Sequence, residues 1–311
     1  MKAIVLKEFG GVEKLILSEI PRPTIQPNEV LIEVKAISIN PVDVRTRAGS
    51  AMAQHLKQYL PLILGWDISG IVSEVGTEVT DFKIGDEAFG LVNFLGHGKA
   101  YAEYVAVPAN QLAVKPENIR HEEAAAATLA ALTAWQFLKG NLQKGEKILI
   151  QAASGGVGHY AVQIAKYLGA YVIGISSSKN RDFVLSLGAD EHISYDEKQF
   201  EGLDIQVDVV IDAFAFDNLY KSLKVVKKGG KIISLLPMIS EEILQKAKEN
   251  EVEILYSLVK SNGEDMKIIS NLLATNVLKS HISKVFTFDQ MDKAHLEMET
   301  GKTVGKIVLI M

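Results

Sequence analysis

From Lys147 onward, short apolar runs alternate with amphipathic ones, and this alternation limits the possible folds more than any other feature of the chain. Runs near 147–151, 170–175, 191–195, 207–212, 231–236 and 252–257 read as strands; stretches near 157–168, 180–187, 217–226 and 240–249 read as helices between them. "DVVID" and "KIISLL" have apolar centres without in–out alternation, as a sheet covered on both faces requires. Strands separated by helices pair in parallel, so the pattern predicts a doubly wound sheet.

The turn after the first of these strands carries chemistry. In "ILIQAASGGVGHYAVQIAKYLGAYVIGISSSKNR", Ile148 to Arg181, a strand enters a small-residue turn, then a helix, a second strand and a polar tail. A dinucleotide loop needs a sharp reversal, close approach of backbone to a pyrophosphate, and a helix N-terminus aimed at it. Each need favours a small residue. Ala153, Gly155 and Gly158 fill a GxGxxG frame with alanine first, and Gly156 adds a fourth small residue. Val157, Tyr160, Ala161, Ile164, Ala165 and Leu168 then fall on one helical stripe that Gly169 ends.

The end of the second strand bears on which dinucleotide. NAD sites place an acid there to accept from the ribose hydroxyl. Here stand Ser176, Ser177 and Ser178, then Lys179 and Arg181. Hydroxyls and a cation suit a 2′-phosphate, which favours NADP(H). The plain alternative is that these residues cap and solvate the next helix, with Asn180 as its cap. A methyltransferase binding S-adenosylmethionine is the rival for the glycine turn itself.

Composition narrows the classes further. The chain has 311 residues, enough for about two domains. A net charge of −5 offers no surplus to neutralise nucleic-acid phosphates or an anionic membrane. No cysteine is present, which removes disulfides, thiol nucleophiles and thiolate metal sites and fits the cytoplasm. "MKAIVLKEFGG" is too short an apolar run for a signal peptide, and no run of about 18 apolar residues predicts a membrane span.

Residues 1–119 read differently. "AIVLKEF", "VLIEVKAISI", "GIVSEVG", "EAFGLV" and "AEYVAVP" are short strand-like runs between turn-rich pieces, which predicts a partly open β-barrel or sandwich. Asn40 to Pro61 reads as a long polar excursion, and "HEEAAAATLAALTAWQFLKG" as one alanine-rich helix stopped by Gly140. "GEDMKIISNLLATN" reads as a helix, "SKVFTF" and "KIVLIM" as strands that rejoin the first domain. The expected organisation is therefore 1–119 with 260–311 as one domain, and 120–259 as an inserted cofactor domain.

Several ordered motifs together carry a resemblance over nearly the whole chain: "SINPVDVR", "LGWDISGIVSEVG", "FKIGDEAFG", "AYAEYVAVP", "EEAAAATLAALTAWQFL", "AASGGVGHYAVQIAK", "LGADEHISY" and "GKIVLIM". The chain resembles the medium-chain dehydrogenase/reductase superfamily, in its zinc-independent quinone oxidoreductase branch. The "GWD" form is more similar to alkenal and enone reductases and to reticulon-interacting mitochondrial oxidoreductases than to bacterial quinone reductases. The resemblance implies a GroES-like partly open β-barrel plus a Rossmann domain, nicotinamide in the cleft between them, a homodimer, and NADPH-dependent reduction of quinones or of the C=C bond of enals and enones. Zinc-dependent relatives use a Cys and a Gly-His-Glu motif; here Asn40 and Trp66 stand at the Cys and His positions, and no histidines pair at ligand spacing, so no metal is expected.

By the same resemblance, Ser154, Gly156 and Val157, with Gly155 in the turn, contact the pyrophosphate. Ser177, Lys179 and Tyr195 surround the adenosine phosphate; Thr133 faces the nicotinamide; Gly305 and Lys306 match a cofactor contact. Asn40 lines the nicotinamide and substrate, or else is simply an Asn-Pro turn. Tyr59 is a candidate donor to a carbonyl, and Asn93 and His97 candidate cleft residues. Trp66 is expected to pack and Asp67 to be structural. Such a hydride transfer needs positioning and a donor to the forming oxyanion, and no obligatory general acid. Reduction of an enoyl thioester, and a non-catalytic NADPH-binding protein, remain alternatives at this stage.

Overall fold

The computed structural model describes residues 1–311. The chain forms two compact units: Met1–Leu132 with Val259–Met311, and Thr133–Leu258. In chain order, the first unit opens with β1 (Lys2–Leu6), β2 (Leu15–Glu19), β3 (Glu29–Ile39), α1 (Pro41–Arg47), α2 (Ala53–Leu56), β4 (Leu62–Ile63), β5 (Asp67–Val75), β6 (Glu87–Leu91), β7 (Tyr104–Pro108), β8 (Leu112–Val114) and α3 (His121–Ala126). The division falls inside α4 (Leu129–Leu138). The second unit holds β9 (Lys147–Ile150), α5 (Gly156–Tyr167), β10 (Tyr171–Ser176), α6 (Arg181–Ser186), β11 (Glu191–Ser194), β12 (Val207–Asp212), α7 (Asp217–Val225), β13 (Val226–Ser234), α8 (Glu241–Glu249) and β14 (Glu253–Tyr256). The chain then returns through α9 (Gly263–Ala274), β15 (Ile282–Thr287), α10 (Met291–Glu299) and β16 (Lys306–Ile310) to the first unit.

In the second unit six parallel strands take the order β11-β10-β9-β12-β13-β14. The chain order reverses direction between β9 and β12, the switch point at which open α/β sheets place their ligands. Leu149, Ile173, Val210 and Ile232 are fully buried in its core, which is why those strands carry no polar alternation. The first unit contains a three-stranded sheet, β2-β1-β4, and a seven-stranded sheet built along β15-β16-β3-β5-β6-β8 with β7 on β3. No helix is long and apolar enough to cross a membrane.

Three sequence expectations are revised. The break expected at 119/120 lies at 132/133, because Ala125 and Ala126 of α3 bury against Ala36 and Val308 of the first unit. The single alanine-rich helix is two. Thr128 Oγ1 donates to Ala125 O at 2.8 Å, and Asp67 Oδ1 accepts from Leu129 N at 3.0 Å. A tertiary carboxylate thus restarts a helix that propensity alone would run through. The excursion after Asn40 is not a polar loop either. It contains α1 and α2, and α1 buries Asp43, Val44, Thr46 and Arg47.

Candidate functional site

The glycine turn leaves β9 and reverses at Ala152, whose φ of +48° is left-handed. Gly155 N donates to Ala152 O at 2.8 Å, closing the turn, and α5 begins at Gly156. Gly158 is required by packing: a Cβ there would lie 2.0 Å from Ala152 O. Gly155 differs. Its φ of −83° suits any residue, and a Cβ would meet Ala152 O at 3.2 Å and Ala152 Cβ at 3.9 Å, with no severe clash. The protein therefore leaves room beside Gly155, in front of a helix start that has no side-chain cap. Free amides, a helix dipole and a space one methyl would invade fit a pyrophosphate.

The polar tail completes a second patch at the carboxyl edge of the same sheet. Ser154 Oγ accepts from Asn180 Nδ2 at 3.1 Å, tying the glycine turn to the end of β10. Strand pairing sets Ser176 beside Ser194, and Tyr195 N donates to Ser176 O at 3.1 Å. Ser154, Gly155, Gly156, Val157, Ser177, Lys179 and Tyr195 thus gather along the ends of β9, β10 and β11, while Thr133 lies buried in α4. Ser177 is buried, Tyr195 and Lys179 are exposed, and Lys179 makes no ion pair. Ser176 is committed inward, its Oγ 2.8 Å from His192 Nε2. Of the three further neighbours here, Asn180 and Arg181 stand in the polar tail already noted in the sequence, and only Asp196 was passed over. Asn180 bonds Ser154, Asp196 bonds Ser178, and Arg181 Nη2 reaches Ser194 Oγ at 3.2 Å and Glu197 Oε2 at 3.1 Å. Their proximity depends on the β10–β11 register, which single-sequence patterns do not give.

Gly305 and Lys306 belong to the first unit, and there the expectation for Lys306 needs correction. Its side chain is 2 % exposed, and its ammonium donates to Ile39 O at 3.3 Å and to Asn40 Oδ1. Asp67 Oδ2 lies 3.7 Å from the same ammonium and accepts from Asn40 Nδ2 at 2.7 Å. The lysine is committed to Asn40 and Asp67 rather than presented to a cofactor. Gly305, at φ +69°, is a close-approach glycine whose Cβ would sit 2.2 Å from His281 O. Asn40 is the N-terminal cap of α1, followed by Pro41, and its amide orientation is fixed from both sides. A cation takes its oxygen and a carboxylate takes one N–H, leaving one amide hydrogen.

The cluster extends inward. Asn40 N donates to Asp43 Oδ2 at 2.6 Å, and Tyr101 Oη lies 3.0 Å from His295 Nε2. Burial, and then the neighbouring Asp67 charge, push Asp43 up to about 8, so it carries a proton at neutral pH. Burial also raises Asp67, an effect the Lys306 charge opposes, and lowers Lys306, which the Asp67 charge opposes. Burial takes His295 down to about 3.

Tyr59 and His97 meet in the same unit, ring centroids 5.0 Å apart. Tyr59 is 47 % exposed and its hydroxyl bonds no protein group. His97 Nε2 lies 3.0 Å from Ile63 O and 3.2 Å from Ile63 N; burial lowers its pKa to about 4, so the ring is neutral at pH 7. Asn93, at φ +52°, shapes the preceding turn and donates its N–H to Gln111 Oε1 at 2.6 Å. Trp66 is fully buried, its Nε1 donating to Gly96 O at 2.8 Å, and Asp67 is equally buried, as packing and structural roles require.

Nowhere do three His, Asp or Glu side chains gather as metal ligands. Position 66 carries an indole that can only donate and is spent on Gly96, and beside Asn40 and Asp67 stands an ammonium that already balances the carboxylate. These residues do not fit a zinc ion. Residues 26–117 match the family model described as alcohol dehydrogenase GroES-like domain, and residues 187–309 that described as zinc-binding dehydrogenase. The chain is 35 % identical over 324 residues to a 2-methylene-furan-3-one reductase of Solanum lycopersicum, covering 99 % of this chain and 79 % of that protein. It is 34 % identical over 320 residues to an NADPH-dependent alkenal/one oxidoreductase, chloroplastic, of Arabidopsis thaliana, with the same two coverages of 99 % and 79 %. Among solved structures, the quinone oxidoreductase from Coxiella burnetii has a TM-score of 0.94 at 36 % identity, covering 100 % of this chain and 99 % of that one. The glycine turn on its parallel sheet, the GroES-like unit around it in sequence, and these relatives agree: the chain belongs to the medium-chain dehydrogenase/reductase superfamily, in the branch of the quinone and enone reductases.

Proposed function

We propose that the protein is a zinc-independent, NADPH-dependent reductase of quinones or of the C=C bond of enals and enones. The observation that carries this reading is the uncapped start of α5 beside the open space at Gly155, with the unpaired Lys179 at the end of β10. Relatives named for NADPH, alkenals and quinones support the cofactor and acceptor classes. When bound, NADPH supplies the hydride.

The chain's own residues then have limited tasks. The amides of Gly156 and Val157, with the Ser154 hydroxyl, hold the pyrophosphate; Ser177, Lys179 and Tyr195 hold the adenosine phosphate; Thr133 lies toward the nicotinamide. Tyr59 donates its free hydroxyl to the oxygen that gains charge as an enolate or hydroquinone forms, and Asn40 offers its one remaining amide hydrogen. A neutral His97 orients Tyr59 and is no acid at pH 7. Solvent supplies the proton at carbon. A homodimer is supported by β14, which closes the six-stranded sheet with an unpaired edge. The cytoplasm is the compartment proposed for a cysteine-free chain of this kind.

The test is cofactor binding with and without Lys179, followed by nicotinamide absorbance with quinones, enals and enoyl thioesters. Lys179→Ala should weaken NADPH roughly tenfold to a hundredfold, the worth of one charge-assisted contact, and leave NADH nearly unchanged. Equal losses for both cofactors would remove Lys179 from the phosphate. Tight NADPH binding with no turnover on any acceptor would leave a binding protein.

A further inference from the structure

The serine-rich tail contains no acid, yet the folded chain delivers two to it. β10 and β11 pair in parallel with Ser176 beside Ser194, so the residues that follow each strand lie side by side. From β11 come Tyr195, Asp196 and Glu197. Asp196 Oδ1 accepts from Ser178 N at 2.9 Å and Asp196 Oδ2 accepts from Ser178 Oγ at 2.9 Å. Glu197 holds Arg181 at 3.1 Å. Lys179 and Arg181 follow β10 while Asp196 and Glu197 follow β11, with a neutral His192, its pKa lowered by burial, among them; Arg181 pairs with Glu197, so the patch is balanced rather than cationic. Ser178's two donors hold Asp196 below the usual carboxylate range, so it is ionised at neutral pH.

We propose that Asp196 is a specificity-determining residue that holds the adenosine subsite open to both phosphorylated and unphosphorylated dinucleotides. This inference rests on the adenosine end lying at the carboxyl edge of β10 and β11. An ionised carboxylate has about four lone-pair positions, and Ser178 uses two. The others can accept ribose hydroxyls, which only a dinucleotide without the 2′-phosphate presents in full. A 2′-phosphate, at about −1.5 to −2 charge, must instead sit beside Asp196 and compete for Ser178. One carboxylate a few ångström from such a phosphate in near-water dielectric weakens its binding about five- to tenfold. Lys179 and Arg181 still favour the phosphate, and Asp196 narrows the margin.

The experiment uses the full chain and two fragments, 2′,5′-ADP and 5′-AMP, titrated calorimetrically. Asp196→Asn keeps an acceptor for Ser178 N and removes the charge. The variant should bind 2′,5′-ADP about five- to tenfold more tightly, bind 5′-AMP no better, and lose most of the gain in high salt. A 2′,5′-ADP affinity within twofold of the parent, or equal tightening for both fragments, would overturn the proposal. The cofactor-free melting midpoint of Asp196→Asn guards against a loosened turn, and Asp196→Ser should tighten 2′,5′-ADP likewise, because it removes the same charge. A Ser178→Ala/Lys179→Ala double variant separates the layers. If it binds 2′,5′-ADP like the parent, the adenosine end is elsewhere and both readings fall. If it loses 2′,5′-ADP while Asp196→Asn changes nothing, only the role of Asp196 falls.

Discussion

Alanine at Gly155 and alanine at Gly158 add the same methyl group to the same turn, and the two variants should fail in different ways. At Gly158 the new Cβ would lie 2.0 Å from Ala152 O and 2.8 Å from both Ala152 C and Ala153 Cα. All three are backbone atoms, and ordinary contact begins near 3.4 Å, so the turn must open by more than an ångström. Overpacking of this kind costs about 1–3 kcal/mol. For a domain of this size that lowers the melting midpoint roughly 5–10 °C. At Gly155 the backbone is already extended, and the near atoms are Ala152 O at 3.2 Å and Ala152 Cβ at 3.9 Å, so the cofactor-free fold should shift by no more than about 2 °C. The methyl instead fills the space proposed for the pyrophosphate. Losing one charge-assisted backbone contact weakens NADPH roughly tenfold to a hundredfold. Differential scanning fluorimetry without cofactor and calorimetric titration with NADPH separate the two effects. Gly155→Ala with an unchanged NADPH affinity would refute the placement of the pyrophosphate, and Gly158→Ala with an unchanged midpoint would refute the packing role.

Other outcomes follow from the first unit. Lys306→Met leaves the fully buried Asp67 without its cation and should cost about 3–5 kcal/mol in urea unfolding; Lys306→Met/Asp67→Asn should recover most of that, and a double variant no better than the single would contradict the pairing. Asp43 sits near pKa 8 in the fold against about 4 unfolded, so the native state holds its proton across that window. Its contribution is full below about pH 4 and is lost as pH rises toward 8. The midpoint of Asp43→Asn relative to the parent should therefore climb between pH 5 and pH 8, and a constant difference would show that Asp43 is ionised throughout. Tyr59→Phe should lower turnover about tenfold to a hundredfold while NADPH affinity stays put, as loss of an oxyanion donor predicts; unchanged turnover would move that donor elsewhere.

The cofactor unit was the more legible half of the sequence. Its strands are short apolar runs because both faces are covered, and its glycine turn needs small residues for reasons that hold in any such turn. The first unit was harder because its decisive contacts are long-range. Asp43 and Arg47 look like surface composition yet are buried in α1, so the stretch after Asn40 reads as a loop. Asp67 divides an alanine-rich segment into α3 and α4 from more than sixty residues away. Lys306 reads as a cofactor contact until its ammonium is seen between Asn40 and Asp67. At the proposed adenosine subsite, the absence of an acid after β10 pointed to NADP, and only the register with β11 revealed Asp196.

The most direct measurement is the fate of deuterium from NADPH carrying deuterium at both nicotinamide C4 positions, with an α,β-unsaturated ketone as acceptor in ordinary water. A hydride-transferring reductase of this kind places one deuterium at the β-carbon of the saturated ketone and a solvent proton at the α-carbon, read by mass spectrometry and NMR. A saturated product without deuterium, or bound NADPH that neither this ketone nor any quinone consumes, would contradict it.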